Sequence, residues 1–254
     1  GGFAVGHRVM CSTASALAEY AVADYGRTVK TPDTNMSYEK AATLPVALQT
    51  MHDAVVTHGA LTPGKTIMIQ GASSGVGIMG MQIAKLKGCR VIGSVGSDAK
   101  AAWLKEECGV DEVINYKTCG DLSAALEKAA PEGIDVYFEN VGGDHLQAAL
   151  NSMNPYGRIA ACGMIASYNN AEPAPGPNNL MLIVGKKIRI NGFIVSDHAD
   201  MRDAFLADMV PWIQQGKIKS QETVVEGVEN AVDAFLALFS GDNFGKMVVK
   251  LGER

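Results

Sequence analysis

From Lys65 onward, short apolar runs alternate with helical stretches, and that alternation limits the fold more than any other feature of the chain. TIMIQ (66–70), CRVIGSV (89–95), EVINY (112–116), IDVYFEN (134–140) and GRIAACG (157–163) read as strands, with helices predicted over 76–87, 98–107, 122–129 and 146–154 between them. A strand that is apolar throughout has no side to turn toward water. Such strands must lie parallel with helices on both faces, which predicts an α/β fold built on a doubly wound sheet of about six strands. The sixth strand is KKIRINGFIV (186–195), entered from a Pro- and Asn-rich loop over 167–179 and a short helix.

The flanks read differently. Ahead of the sheet, short β-type runs at 8–11, 17–22 and 28–31 suggest part of a small β domain, and 45–56 spaces Leu48, Met51, Ala54 and Val55 along one helix face. Behind it, a helix is predicted over 201–214, a strand near Thr223, a helix over 231–239 and a closing strand over 247–251. The predicted division is 1–44, 45–215 and 216–254.

Charge and cysteine usage narrow the class of partner. A net charge of -5 and the absence of a dense Lys/Arg run argue against nucleic acid. No apolar stretch approaches the roughly 20 residues of a membrane span, so no membrane is expected. Five scattered cysteines, without a C-x-x-C pair, point to a reducing cytoplasm rather than to disulfides or a zinc knuckle.

The richest local signal is Gly71-Ala72-Ser73-Ser74-Gly75-Val76-Gly77, directly after a strand and opening a helix. Small residues there let free backbone N–H groups and the positive end of the helix dipole approach a phosphate. G-A-S-S-G also satisfies G-x-S-x-G, the nucleophile elbow of α/β-hydrolases, with Ser73 as nucleophile. The only plausible downstream pair is the adjacent Asp197 and His198, which as neighbours on one strand end point to opposite sides. A short-chain dehydrogenase would need Tyr-x-x-x-Lys, and none of Tyr116, Tyr137, Tyr156 or Tyr168 has Lys four residues on. A dinucleotide site remains. An NAD site expects an acidic residue at the end of the second strand, whereas here Ser94-Val95-Gly96-Ser97 follows and the first carboxylate is Asp98. With Ser97 and Lys100 close by, a 2′-phosphate is welcome, so NADPH is favoured over NADH; the rival reading of Lys100 is a solvated first-turn lysine.

The ordered strings QIAKLKGC, GSDAK, INYKT, YFENVGG, GRIAACG with SYN, PGP and GDNFGK resemble the zinc-independent branch of the medium-chain dehydrogenase/reductases, specifically its prostaglandin reductase, alkenal double-bond reductase and curcumin reductase relatives. The resemblance implies a Rossmann-type domain with the remainder of a GroES-like β domain, which these relatives carry in fuller form ahead of the glycine turn. It places the cofactor pyrophosphate at Ser74, Gly75, Val76 and Gly77, and the 2′-phosphate near Lys100 and Tyr116, beside Ser97. Asn140 falls on the adenosine side. Cys162, Gly163 and the segment up to Tyr168 line the nicotinamide, with Phe193, Ile194, Val195 and Asn243 near it. Ser74 stands where relatives often have glycine, and its hydroxyl can donate to phosphate. Gly80, inside the helix, reads as a packing glycine.

The implied activity is NADPH-dependent reduction of the C=C bond of an α,β-unsaturated carbonyl compound, with Tyr168 donating a hydrogen bond to the carbonyl oxygen as charge develops there. The alternatives are an NADPH quinone oxidoreductase and a nucleotide-binding protein without turnover. The expected small-molecule partner is thus an enone, enal or quinone. No metal is expected: 10–17 leaves no room for a zinc lobe, and Val46 falls where the metal-using branch has a zinc cysteine. A strand over 186–195 at a sheet edge would expose Ile188, Ile190 and Phe193, which predicts a homodimer, with Lys186, Lys187 and Arg189 as possible guards of that edge.

Overall fold

The computed structural model describes residues 2–31, 36–172 and 174–252. Strands β1 (Val9–Cys11) and β2 (Thr28–Lys30) form an antiparallel pair. The run expected as a strand over 17–22 is instead open loop, with Leu17, Tyr20 and Val22 exposed. Among the described residues no ladder forms along it, and β propensity without a neighbouring strand does not make one.

Helix α1 (Tyr38–His52) begins seven residues before the expected start at Pro45. Ser37 caps it, its hydroxyl accepting from the Lys40 amide at 3.2 Å, and Pro45 is carried inside. Proline lacks an N–H, and the helix tolerates the lost bond, held by its packing on α2 (Gly75–Leu86). A wide π-type turn, Asp53–His58, ends α1 at Gly59, where a side chain would press on Val136 and the Ala54 carbonyl.

The central sheet follows the expected alternation. In chain order it contains β3 (Thr66–Ile69), α2, β4 (Arg90–Val95), α3 (Asp98–Cys108), β5 (Glu112–Asn115), α4 (Leu122–Ala129), β6 (Ile134–Glu139), α5 (Gly143–Ser152), β7 (Met153–Ala161), α6 (Met181–Lys186) and β8 (Arg189–Gly192). All six strands are parallel, in the order β5-β4-β3-β6-β7-β8. Alternate residues feed two cores. Ile67, Ile69, Val91, Val136 and Phe138 join α1, α2 and α7 (Arg202–Gln214) on one face, while Met68, Ile92 and Tyr137 join α4 and α5 on the other. This is why the strands carry no polar alternation: burying each such side chain is worth about 1.5–3 kcal/mol on either face. Gly80 faces Met51 and Ile69, where a Cβ would collide, so it is the packing glycine the sequence suggested.

The last strand is shorter than its sequence reading. Ile188 and Phe193 are buried, and of the three expected edge residues only Ile190 is exposed, at 42%. Lys186 belongs to α6 and donates to the carbonyls of Leu150 and Asn151, so it does not guard the edge. Phe193 is drawn inward by His58, whose ring lies 4.5 Å away. Beyond α7, β9 (Glu222–Glu226) and β10 (Lys246–Lys250) pair in parallel around α8 (Ala231–Ser240). None of the helices is long and apolar enough to cross a membrane, among the described residues.

Candidate functional site

After β5 the chain crosses back to place β6 beside β3, so the helices following β3 and those following β6 leave the sheet on opposite sides. A crevice opens at such a switch point beyond the carboxyl ends of the strands, and that is where ligands bind in open α/β sheets. Here it is a cleft of about 630 Å³, lined by Gln70, Gly71, Ser73 and Ser74 after β3, Ser94 to Ser97 at the end of β4 with Lys100 of α3, Tyr116 and Lys117 after β5, Asn140 and Val141 after β6, and residues 238–243 at the end of the last helix and beyond it.

The glycine turn is shaped from both sides. A Cβ at Gly77 would meet backbone atoms of Ala72 at 2.7 Å, and one at Gly75 would meet Lys246 at 2.9 Å. The Gly245 amide donates to the Ser73 carbonyl at 2.8 Å, pinning the turn to the start of β10. Ser74 is the N-cap of α2, and its oxygen accepts from the Gly77 amide at 3.0 Å. The hydroxyl oxygen thus closes the helix, and its proton remains free to donate to a phosphate. The amides of Gly75 and Val76, the first of the helix, have no intrahelical acceptor.

Lys100 is not a solvated lysine. It is half-buried, and its Nζ donates to the carbonyls of Gly241 and Asn243, each at 2.8 Å. Burial, then the charge of Lys117, pulls its ammonium below the usual lysine range, against a smaller opposing effect of Asp242. Ser97 caps α3, accepting from the Lys100 amide at 3.4 Å. Asp98 does not line the cleft; it accepts from Asn115 Nδ2 at 2.7 Å.

Three further groups were missed in the sequence. Gln70 Oε1, Ser94 Oγ and His145 Nδ1 are buried in the cleft wall without a partner. Orphaned buried polar atoms cost stability unless a ligand or water meets them. Polar Gln70 and Ser94 at the ends of apolar strands were the available signal. His145 packs edge-on against Tyr116, centroids 5.1 Å apart, and burial lowers its pKa so that it is neutral near pH 7. The cradle at Gly75 and Gly77, the orphaned atoms and the two lysines fit a dinucleotide phosphate ester.

The nicotinamide-side residues are only partly gathered. The cleft wall ends at Ile165 and Ala166, and Cys162, Gly163, Phe193, Ile194 and Tyr168 lie outside it. Gly163 is nevertheless wedged between the Asn140 carboxamide and the Tyr168 hydroxyl, which would stand 2.6 and 2.7 Å from a Cβ there. Tyr168 accepts from the Met164 amide at 3.1 Å, keeps its own proton to donate, and is 62% exposed. Burial pushes the Cys162 thiol up, so it is not a thiolate nucleophile. Val195 sits in a separate apolar groove of about 320 Å³, with Met10, Val29, Val46, Leu48, Phe205 and Met209. A larger hollow of about 970 Å³ between α1 and β10 is lined by Glu19 and Glu39 and has no glycine turn, so it does not suit a phosphate.

Glu139 organises the end of β6. It is fully buried; its Oε1 accepts from the amides of Val141 and Gly142 at 2.6 and 2.8 Å, and its Oε2 from the Tyr137 hydroxyl at 3.2 Å. Burial raises its pKa despite those bonds.

Residues 75–210 match the family model described as "Zinc-binding dehydrogenase". The chain is 46% identical over 189 residues to prostaglandin reductase 1 of Bos taurus, covering 74% of this chain and 57% of that protein. It is 47% identical over 186 residues to 2-alkenal reductase (NADP(+)-dependent) of Nicotiana tabacum, covering 73% and 54%. The chain thus spans little more than half the length of these relatives. The crystal structure of CurA in complex with NADPH from Vibrio vulnificus superposes with a TM-score of 0.81 at 35% identity, covering 89% of this chain and 69% of that one. The family description names zinc, but the donor set here does not fit it. Val46 cannot ligate a metal, and among the described residues no group of three or more His, Cys, Asp or Glu could hold one. By its match over more than half its length the chain belongs to the zinc-binding dehydrogenase family, within the medium-chain dehydrogenase/reductases, whatever that description says of a metal.

Proposed function

We propose that this chain is an NADPH-dependent reductase acting on the C=C bond of α,β-unsaturated carbonyl compounds, an enone or enal. The observation that carries the reading is the cleft at the switch point, where two lysines and a serine stand at the ends of the second and third strands and Asp98, the carboxylate beside the end of the second strand, is turned away, while Asp242 of the far wall is tied to the Ser240 hydroxyl. The names of the relatives, an NADP(+)-dependent 2-alkenal reductase among them, support the substrate class.

Bound in the cleft, NADPH would supply a hydride for the substrate's β-carbon. Gly75 and Val76 amides, with the Ser74 hydroxyl, hold the pyrophosphate; Lys100, Tyr116 and Ser97 hold the 2′-phosphate side; Asn140 holds the adenosine side, and Asn243, expected near the nicotinamide, is reassigned to the Lys100 end of the cleft, where its carbonyl accepts from Lys100. Tyr168 donates its proton as a hydrogen bond to the substrate carbonyl oxygen, stabilising charge that develops there. Cys162, Gly163, Phe193, Ile194 and Val195 flank the nicotinamide, and the apolar groove beside Val195 accepts the substrate's carbon skeleton. The expected result of Tyr168→Phe is a fall in kcat of about a hundredfold with NADPH affinity unchanged. Steady-state NADPH oxidation with an enone and with a quinone, beside a binding titration without substrate, tests the reading. Faster turnover of the quinone, or binding with no turnover of either, overturns it.

The activity is also proposed to need no metal, since the donor set fits none. Exhaustive dialysis against a chelator is expected to leave the rate intact; loss restored by zinc would refute this. A cytoplasmic location belongs to the same proposal, as does a three-part division of the chain; the expected boundary between 44 and 45 falls inside α1, so the first division is moved to Ser37, its N-cap, and the second stays between 215 and 216. A homodimer formed across the edge of β8, where Ile190, Ile194, Met181 and Val184 are exposed, is also part of the proposal. Sedimentation at micromolar concentration should give twice the 26.8 kDa chain mass; an unchanging single-chain species would exclude the dimer.

A further inference from the structure

The sequence leaves one carboxylate beside the end of the second strand, and a carboxylate there is what an NAD site uses to hold the ribose 2′-OH. Asp98 follows Ser97 by a single residue, yet Ser97 lines the cleft and Asp98 does not. The difference lies in Asn115, the last residue of β5, which stands opposite Val95 in the sheet. Its Nδ2 donates to Asp98 Oδ1 at 2.7 Å, while its Oδ1 accepts from the Lys117 amide at 3.1 Å. Only one orientation of the carboxamide serves both: reversed, it would set oxygen against carboxylate and NH₂ against N–H. The same side chain therefore restrains the carboxylate and fixes the turn that presents Tyr116 and Lys117 to the cleft.

We propose that Asn115 is a selectivity residue for the cofactor, acting by holding the Asp98 carboxylate away from the 2′-phosphate side of the cleft. Asn115 touches neither cofactor nor substrate; it is a positioning residue. A freed Asp98 side chain can swing toward Lys100 and Ser97, where its charge opposes a phosphate dianion and its oxygens suit a bare ribose hydroxyl. The inference rests on the NADPH reading above.

The test is binding of NADPH and of NADH, titrated without substrate, to the whole chain and to three variants. Asn115→Ala adds no charge and is expected to lower the ratio of NADPH to NADH affinity by about threefold or more, with NADH affinity held or improved. Asp98→Asn alone should leave the ratio within about twofold, because that carboxylate is already restrained. The double variant N115A/D98N should regain the unmodified ratio, a non-additive result that a loosened turn would not give. Equal weakening of both cofactors by Asn115→Ala, or a double variant that stays as poor as the single one, overturns the inference. If the unmodified chain shows no preference for NADPH, the NADPH reading fails and the inference with it. A preference that is present but indifferent to Asn115 defeats the inference alone.

Discussion

Replacing Lys100 by Ala is expected to lower NADPH affinity at least tenfold, about 1.4 kcal/mol, while NADH affinity changes little. The reason is geometric as well as electrostatic. Two of the three Nζ donors are engaged by the carbonyls of Gly241 and Asn243, which aim the remaining one and hold the charge at the cleft wall rather than in open water. A phosphate dianion at that place meets an ammonium already partly desolvated, so the attraction is screened less than at a free surface. Burial has also lowered the Lys100 pKa, and the sign of the pH effect follows: the preference for NADPH is fullest at neutral pH and declines on the alkaline side before an exposed lysine would titrate. Isothermal titration with both cofactors at pH 7 and at pH 9.5 reads both effects. Equal affinity for the two cofactors in the unmodified chain would remove the basis of the prediction.

The second large effect is expected at Glu139. Glu139→Ala leaves two amides and a tyrosine hydroxyl without their acceptor inside the protein, and should destabilise the fold by about 2–4 kcal/mol. Glu139→Gln behaves differently. Both amides share Oε1, which a glutamine supplies, and its NH₂ can donate to the Tyr137 oxygen. Because the folded pKa of Glu139 is raised, its contribution to stability is fully present below the unfolded value and is lost as pH rises through the folded one. Glu139→Gln is therefore expected to match or exceed the unmodified chain at pH 8 and to lose that part of the pH slope. Urea unfolding of the three proteins at pH 5 and pH 8 decides it, and a Gln variant as unstable as the Ala variant would show that the charge itself is required.

These two residues mark the line between what was legible and what was not. Lys100 could be picked out as a candidate because a strand, a glycine turn and a second strand lacking a terminal acid are all local patterns, and local patterns survive in a one-dimensional reading. Glu139 could not, because a carboxylate ending an apolar strand looks the same whether it faces water or two backbone amides. The start of α1 at Tyr38, ahead of the helix read from Pro45, was hidden for a similar reason: proline is a strong local signal, and only packing on α2 offsets the bond it removes.

The sequence alone determined the parallel six-stranded sheet, its two buried faces and the tight glycine turn into α2, since fully apolar strands and small residues at a helix start admit few other arrangements. Tertiary structure alone decided which groups meet in the cleft. Lys117 and His145, the 238–243 segment that anchors Lys100, and the Asn115 contact that removes Asp98 come from separate parts of the chain. It also decided that Phe193 turns inward onto His58 and leaves Ile190 at the sheet edge. Side chains far apart in sequence interact only through a shared surface, and the strand order that creates this surface is fixed by the crossover from β5 to β6, which no run of residues encodes by itself.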